Sequence, residues 1–262
     1  MIDKVINAAR LGGAEINKYF GKTLNVFEKT TVADFRTEAD LASEKIILAE
    51  LQKAFPDFNY FAEESGWIKN GSEYTFIIDP LDGTNNFSLG LNYFSVSIGL
   101  QKGNETILGV VYNPMMDQIY SAEKGKGAFL NGKKINTNEV DDIKKASISY
   151  TCGYADDGTT YENLVKETNQ FGVKRLLTNW SPALDYGLLA SGKIEAIICN
   201  GNDKEDNAAG KFIVKEAGGI ITDFNGNNEE DEASTYFIAS NNKNLHIKIL
   251  EMCNLVKNLK KT

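Results

Sequence analysis

The stretch Asp79-Pro80-Leu81-Asp82-Gly83-Thr84-Asn85-Asn86-Phe87 decides the reading of this chain. An apolar run, Tyr74 to Ile78, precedes it and predicts a buried strand that ends at the first carboxylate. Two aspartates then stand three residues apart, with a proline between them. On a continuing strand the residues of one face are two apart, so the spacing does not fit one. Pro80 fixes its own φ and disfavours α geometry at Asp79. The chain is therefore expected to turn there and aim both carboxylates at one point past the strand end. Gly83 permits a close backbone approach, and Thr84 adds an N–H and a hydroxyl. A hard divalent cation takes such oxygens, carboxylates together with a carbonyl that irregular backbone frees. A phosphate beside that cation would take the Gly83 and Thr84 amides if a helix starts here. The same residue types also make ordinary turns, and Asp-Pro by itself implies no more than that.

Outward from this stretch, Asn59 to Ala62 predicts a short strand that delivers Glu63 and Glu64. A glutamate pair at a strand end is ordinarily surface charge. Beside the aspartate turn, Glu63 becomes a candidate metal ligand and water activator, and Glu64 its outward-facing neighbour or support. Upstream, apolar residues from Ile2 to Phe20 recur with helical spacing, and a second helix is expected from Leu41 to Phe55. Between them Lys29 to Asp40 is polar and lacks a period. Asp40 stands where an N-cap is expected.

Downstream, Phe94 to Phe129 alternates like an antiparallel meander, with turns at Gly103-Asn104, Gly125-Lys126-Gly127 and Asn131-Gly132. Asn138 to Lys145 is polar and charged and makes a boundary between an α+β half, residues 1–140, and a more regular α/β half, residues 141–262. In the second half strands and helices alternate. Pro182 opens a helix, Ile194 to Cys199 reads as a strand, and Asn207 to Ala217 as a helix. Asp206 just before it is read as an N-cap, and equally as a fourth carboxylate for a second magnesium. Asn225 to Glu232 reads as an acidic surface loop.

Composition narrows the chemistry. The 262 residues carry a formal net charge of -8, and no basic run interrupts the acidic balance. Nucleic acid and anionic membrane are poor partners for such a chain. An acidic protein that handles a phosphate needs cations at the site, and metal ions supply them. No apolar run is long enough for a bilayer, and Met1-Ile2-Asp3-Lys4 opens no secretory signal. Cys152, Cys199 and Cys253 form neither a disulfide framework nor a zinc pattern, which fits a reducing cytoplasm. The single histidine, His246, lies in the charged C-terminal helix pattern, with a solvated or packing role expected. Histidine-based triads and zinc sites drop out, so carboxylates, hydroxyls and hard metals must carry any catalysis.

The full string from Asp79 to Phe87 resembles the signature of the inositol monophosphatase family of magnesium-dependent, lithium-sensitive phosphatases. Ala62-Glu63-Glu64-Ser65, Gly109-Val110-Val111-Tyr112-Asn113-Pro114, Glu205-Asp206-Asn207-Ala208-Ala209-Gly210 and Glu216-Ala217-Gly218-Gly219 extend the resemblance over nearly the whole chain. It implies the family's layered sandwich with α-β-α-β-α layers, and a homodimer. It implies that Glu63, Asp79 and the Leu81 carbonyl hold one magnesium, and Asp79, Asp82 and Asp206 the other. Manganese is a possible substitute. The stretch from Lys29 to Asp40 resembles the family's mobile loop, so Lys29 and Asp40 are expected near the site, Asp40 helping to bind a third magnesium. Glu63, Thr84 and Asp82 are the expected catalytic residues. Asp82, Gly83, Thr84, Ser181, Asp206 and Lys29 are the expected substrate contacts. The substrate implied is a small-molecule phosphate monoester. An aspartyl-phosphate phosphatase carries Asp-x-Asp-Gly-Thr, whereas the spacing here is Asp-x-x-Asp-Gly-Thr.

Departures fall in the recognition half. Glu205 stands where most relatives have Trp. Trp180-Ser181-Pro182-Ala183-Leu184-Asp185 resembles the family's Gly-Ser-Ala-Ala-Leu-Asp, and Cys199 aligns where inositol-specific members place a glutamate. Inositol 1-phosphate is therefore not expected to be the best substrate. Fructose 1,6-bisphosphate, other sugar phosphates and nucleotide 3′-phosphates are the alternatives. One bacterial branch of the family also acts with transcription and ribosome-assembly machinery, which leaves a regulatory protein-binding role as a further alternative.

Overall fold

The computed structural model of the chain describes residues 1–154, 158–228, 234–257 and 259. Helix α1 (Ile2–Asn17) turns Val5, Ala8, Ala9 and Ile16 inward, the spacing of a one-sided helix. It packs beside α2 (Glu38–Ala54), which buries Ala39, Ile47 and Leu51. Between them lies a hairpin, β1 (Val26–Thr31) and β2 (Asp34–Thr37). This corrects the aperiodic reading of Lys29 to Asp40. Strand β1 is exposed along its whole length, so no buried face imposes an alternation on its sequence.

Both helices cover an eight-stranded sheet. Its strands are β3 (Asn59–Ala62), β4 (Gly66–Ile68), β5 (Tyr74–Asp82), β6 (Ser95–Lys102), β7 (Glu105–Asn113), β8 (Gln118–Glu123), β9 (Gly127–Leu130) and β10 (Lys133–Ile135). Their order is β10-β9-β8-β7-β6-β5-β3-β4, with β3 parallel to β5 and the other pairs antiparallel. The meander expected from Phe94 to Phe129 is the run β6 to β9. Strands β4 and β10 were not anticipated, because three residues are too few to show a period. Strand β5 does not stop at Asp79 but continues to Asp82. A one-turn helix, α3 (Thr84–Ser88), follows it.

A second, five-stranded sheet has the order β12-β11-β13-β15-β14. Its members are β11 (Ser147–Cys152), β12 (Arg175–Leu177), β13 (Ala196–Asn200), β14 (Ile220–Thr222) and β15 (Tyr236–Ser240). Helices α4 (Thr159–Phe171) and α7 (Lys243–Cys253) cover its outer face with Leu164, Leu245, Ile249 and Met252. Between the sheets lie α5 (Pro182–Ala190) and α6 (Lys204–Glu216). Their shared core joins Val111, Tyr120 and Ala122 of the first sheet to Ile197, Phe237 and Ala239 of the second. A helix covered on two sides has little need of a polar face, and α5 buries seven of its nine residues. A Cβ at Gly109 would lie 2.7 Å from the Ala209 carbonyl oxygen, so glycine there lets α6 settle onto β7. The result is the α-β-α-β-α layering that the family resemblance implied. Helix α6 begins three residues earlier than expected. Its N-cap is Asp203, and Asp206 sits inside the first turn.

Of the stretch from Asn225 to Glu232, residues 229–232 lie outside the described residues. No described helix is long and apolar enough to cross a membrane.

His246 is 4% exposed, so the packing role holds and the solvated one does not. Its Nε2 lies 2.8 Å from Thr222 Oγ1 and its Nδ1 2.7 Å from Ser240 Oγ. The Thr222 hydroxyl donates to the Asp223 carbonyl at 2.8 Å, so its oxygen receives the proton on Nε2, and Ser240 donates to Nδ1. A neutral imidazole satisfies both partners, and burial pushes its pKa down from 6.5 to about 4. The unfolded chain therefore binds this proton more readily than the native state. The stability that follows is fully present above pH 6.5 and is lost as pH falls toward 4, by about 3 kcal/mol at most. Because this is the only histidine, its ring Cε1–H resonance should titrate alone, with a midpoint near 4. A midpoint near 6.5 by NMR would mean that the imidazole is not held neutral.

Candidate active site

The site starts as a backbone irregularity. Asp79 pairs with Ser97 and Asp82 with Ser95, so β5 carries one residue more than β6 between these pairs. That extra residue makes a bulge, which re-aims side chains that a regular strand would send to alternate faces. The Asp79 Oδ1 accepts the Leu81 amide at 2.9 Å, and the Ser43 hydroxyl donates to the Pro80 carbonyl at 2.9 Å. The Leu81 carbonyl faces Thr84 Oγ1 at 3.0 Å. Gly83 then takes φ +88°, and a Cβ there would meet Ser181 Cβ at 3.0 Å. Glycine serves both the left-handed turn and the close approach.

Carboxylate oxygens of Asp79, Asp82 and Asp206 all lie within 4.8 Å of one another. Asp82 Oδ2 accepts from Ser95 Oγ at 2.8 Å and from Ser181 Oγ, and the Ala183 amide in the first turn of α5 also favours the charged carboxylate. Pro182 at that helix start has no amide to offer, and the next residue supplies it. Asp206 enters from α6, with Asn202 Nδ2 at 3.3 Å. Burial pushes all three acids upward, and neighbouring carboxylates add to it; Asp82 reaches about 7. Asp82 Oδ1 is buried and has no hydrogen-bond partner in the structure. An all-oxygen cluster with an orphaned, converging acceptor fits a hard divalent cation.

Glu63 stands at the end of β3, its amide donating to the Ile78 carbonyl at 3.0 Å. Its carboxylate shares a hydrogen bond with Asp79. Lys29 of β1 bridges Glu63 Oε1 and Glu64 Oε1, both at 2.7 Å. Burial alone would lower the lysine's pKa, but the two glutamates outweigh it and hold the ammonium charged. Glu64 does not face outward. Its side chain is 1% exposed, Arg36 NH1 reaches it at 2.8 Å, and Glu44 accepts its amide at 2.8 Å. A strand-end pair whose second member meets two cations is turned inward, which the sequence could not show.

Asp40 is the third residue of α2 rather than its N-cap, which is Thr37. Its Oδ2 accepts the Thr37 amide at 2.7 Å and the Thr37 hydroxyl at 2.6 Å, a reciprocal capping box. Its Oδ1 faces Thr84 Oγ1 at 2.9 Å. Both oxygens thus have protein partners, and the residue sits beneath Thr84 instead of on the cleft surface. Burial, reinforced by Glu63, pushes its pKa to about 7.

Glu63, Asp79, Asp82, Thr84 and Asp206 line a cleft of about 610 Å³ that also takes in Tyr150, Tyr154, Tyr161, Trp180, Asp203 and Glu205. Gly83 and Lys29 lie on its surface. Ser181 lies behind Asp82, fully buried. Cys199 does not line the cleft. It is fully buried, with its Sγ 3.2 Å from the Thr235 carbonyl, so its alignment with a hydroxyl-gripping glutamate does not carry a role at the surface. Asp185, quoted above without a role, is buried and accepts from Tyr93 at 2.6 Å and Asn179 at 2.7 Å, supporting the loop that bears Trp180. Burial of a polar residue inside an apolar helix pattern was the only sequence signal for it.

The sequence matches the inositol monophosphatase family over residues 1–256. A Thermotoga maritima fructose-1,6-bisphosphatase/inositol-1-monophosphatase is 36% identical over 256 residues, covering 97% of this chain and 96% of that one. A Pasteurella multocida protein named Nus factor SuhB is 35% identical over 237 residues, with 86% of each chain covered. The crystal structure of the extragenic suppressor protein suhB from Bartonella henselae superposes with a TM-score of 0.89 at 32% identity, covering 98% of both chains.

Four clustered acids repel one another, so the cluster opposes folding when no cation is present. Raised carboxylate pKa values mean that the native state keeps protons the unfolded chain has lost. Stability in chelator should therefore fall as pH rises from the ordinary carboxylate range through about 7. Asp79→Asn keeps an oxygen for the Leu81 amide and removes a charge. In chelator it should raise Tm by a few degrees (~1 kcal/mol), more at pH 8 than at pH 5. Adding magnesium should raise the Tm of the parent protein and leave that of the variant unchanged. A lowered Tm in calorimetry at pH 8 would show that the buried charges do not oppose folding.

Proposed function

The chain belongs to the inositol monophosphatase family, and on that premise we propose that it is a metal-dependent phosphatase hydrolysing a small-molecule phosphate monoester. The observation that carries this reading is the convergence of Asp79, Asp82 and Asp206 around the orphaned Asp82 Oδ1. Glu63, Asp79 and the Leu81 carbonyl would hold one magnesium, and Asp79, Asp82 and Asp206 a second, with manganese as a substitute. Bound magnesium supplies positive charge for the phosphoryl oxygens and the leaving alkoxide, and makes a water more acidic.

The chain's own groups position and deprotonate that water. Thr84 Oγ1 has one proton and two acceptors for it, Asp40 Oδ1 and the Leu81 carbonyl. Its lone pairs are then turned toward the cleft, where they accept a hydrogen bond from the attacking water. Glu63, beside it in the cleft wall, accepts the water's proton as general base. Its own pKa is pushed up by burial, against the pull of Lys29, which suits a group that must take a proton near neutral pH. The amides of Gly83 and Thr84 at the start of α3 would face the phosphoryl oxygens.

Direct attack by water is favoured over an aspartyl-phosphate route. Asp79 is 1% exposed and its Oδ1 already accepts the Leu81 amide, so it is poorly placed as a nucleophile. Phosphate release should require magnesium or manganese, and lithium should inhibit it. Asp82→Asn should cost several kcal/mol of transition-state stabilisation, of order 10³-fold in kcat. No phosphoenzyme should accumulate in a quench with labelled substrate. Turnover in excess chelator equal to that in magnesium would sink the metal-dependent reading, and a label trapped on Asp79 would sink the water attack.

A further inference from the structure

Part of the cleft wall is aromatic. Tyr154 and Trp180 approach with ring centroids 6.1 Å apart and planes tilted by 32°, and Tyr150 stacks on Tyr161 at 5.8 Å. All four line the cleft. Trp180 is 51% exposed and Tyr154 39%, more than large rings show when they only fill a core.

The exposure is enforced. Trp180 has φ +55°, a left-handed conformation that L side chains rarely adopt. Asn86 Nδ2 donates to the Asn179 carbonyl at 2.7 Å and to the Trp180 carbonyl at 3.3 Å, while Asn179 Nδ2 donates to Asp185 at 2.7 Å. The neighbouring Asn85 Nδ2 donates to the Tyr154 hydroxyl at 3.1 Å. Backbone held in a costly region, with its neighbours tied down, is how a site keeps a side chain in place before its ligand arrives.

Charge adds the second constraint. Among the described lining residues the single cation is Lys29, and its ammonium is engaged by Glu63 and Glu64. Beyond the four carboxylates already described, Asp34, Asp203 and Glu205 also line the cleft. Among the described lining residues, a substrate arm bearing a second phosphate would find these acids and no free lysine or arginine to meet it.

We propose that the alcohol released at this site carries a flat aromatic ring and no second negative charge, so that the substrate class is a nucleoside monophosphate ester instead of a polyol phosphate or a bisphosphate. This rests on the phosphatase reading above. Trp180 and Tyr154 supply faces on which a ring stacks, and stacking tolerates any base because every base has a π-face. Trp180 acts on specificity and takes no part in bond cleavage.

Kinetics with magnesium on five esters tests the idea: adenosine 2′-monophosphate, inositol 1-phosphate, a ribose monophosphate without a base, fructose 1,6-bisphosphate and adenosine 3′,5′-bisphosphate. The expected order puts adenosine 2′-monophosphate first in kcat/KM, about tenfold above the base-free esters and above both bisphosphates. Trp180→Gly suits the left-handed backbone, so the protein should fold, and Trp180→Phe keeps a ring. The glycine variant should lower the ratio of kcat/KM for adenosine 2′-monophosphate to that for inositol 1-phosphate about tenfold, mainly through KM, and the phenylalanine variant should largely restore it. Asp203→Asn should raise kcat/KM on adenosine 3′,5′-bisphosphate relative to the monophosphate. A preference for inositol 1-phosphate or fructose 1,6-bisphosphate, or an equal loss on all esters in Trp180→Gly, overturns the inference and leaves the phosphatase reading standing. Phosphate release from none of the five overturns both.

Discussion

Mutual repulsion of buried carboxylates is the constraint to which the rest of this structure answers. Glu63, Asp79, Asp82 and Asp206 come from β3, the β5 bulge and α6, and no single element could bring them together. The three aspartates are held, among the described residues, by groups that do not neutralise them. Hydroxyls of Ser95 and Ser181 and an α5 amide fix Asp82, while the Leu81 amide fixes Asp79. Only Glu63 meets a cation, Lys29, which it shares with Glu64. Hydrogen bonds orient a carboxylate and leave most of its charge in place, so the cluster keeps its pull on cations while remaining rigid. The scaffold is correspondingly heavy: five layers and three separate cores surround a handful of oxygens.

Much of this was legible in the sequence because the signals were local. The Asp-x-x-Asp spacing around Pro80 could not fit a regular strand, and the bulge is how the chain accommodates it. Gly83 marked a close backbone approach, and Pro182 marked a helix start. The errors share a different cause. The cap half of the Asp40 and Asp206 readings rested on an acid before an apolar pattern, which usually is a cap. In both helices, however, the true cap is a residue three positions earlier, Thr37 or Asp203, and the acid falls in the first turn. The β1–β2 hairpin buries no alternating face, so nothing in its composition could announce it. Glu64 pointing inward and Asp185 under the Trp180 loop depend on partners distant in sequence, such as Arg36 and Tyr93.

The second half of the chain shows why a one-letter departure is a poor guide to its own meaning. Cys199 and Trp180 were both flagged as changes from the family's pattern. One is fully buried against backbone, and the other stands half-exposed on the cleft wall in a conformation that favours glycine. Replacing glycine by tryptophan in left-handed backbone costs on the order of 1–2 kcal/mol. Asn86 and Asp185 offset that cost with contacts to the same loop.

Helix α6 is shared property. It packs against the strands of the first sheet, closes the core of the second, and carries Asp206. The ribosome delivers Glu63, Asp79 and Asp82 long before it delivers this helix. Until α6 arrives, the first sheet has an apolar face without its cover and an acid cluster lacking its last member. The first part of the chain to be made therefore lacks both the cover of its apolar face and the last acid of its cluster. Such a chain gains its acid cluster and its central hydrophobic layer in one late, long-range event, and a folding rate dominated by distant contacts follows from that arrangement.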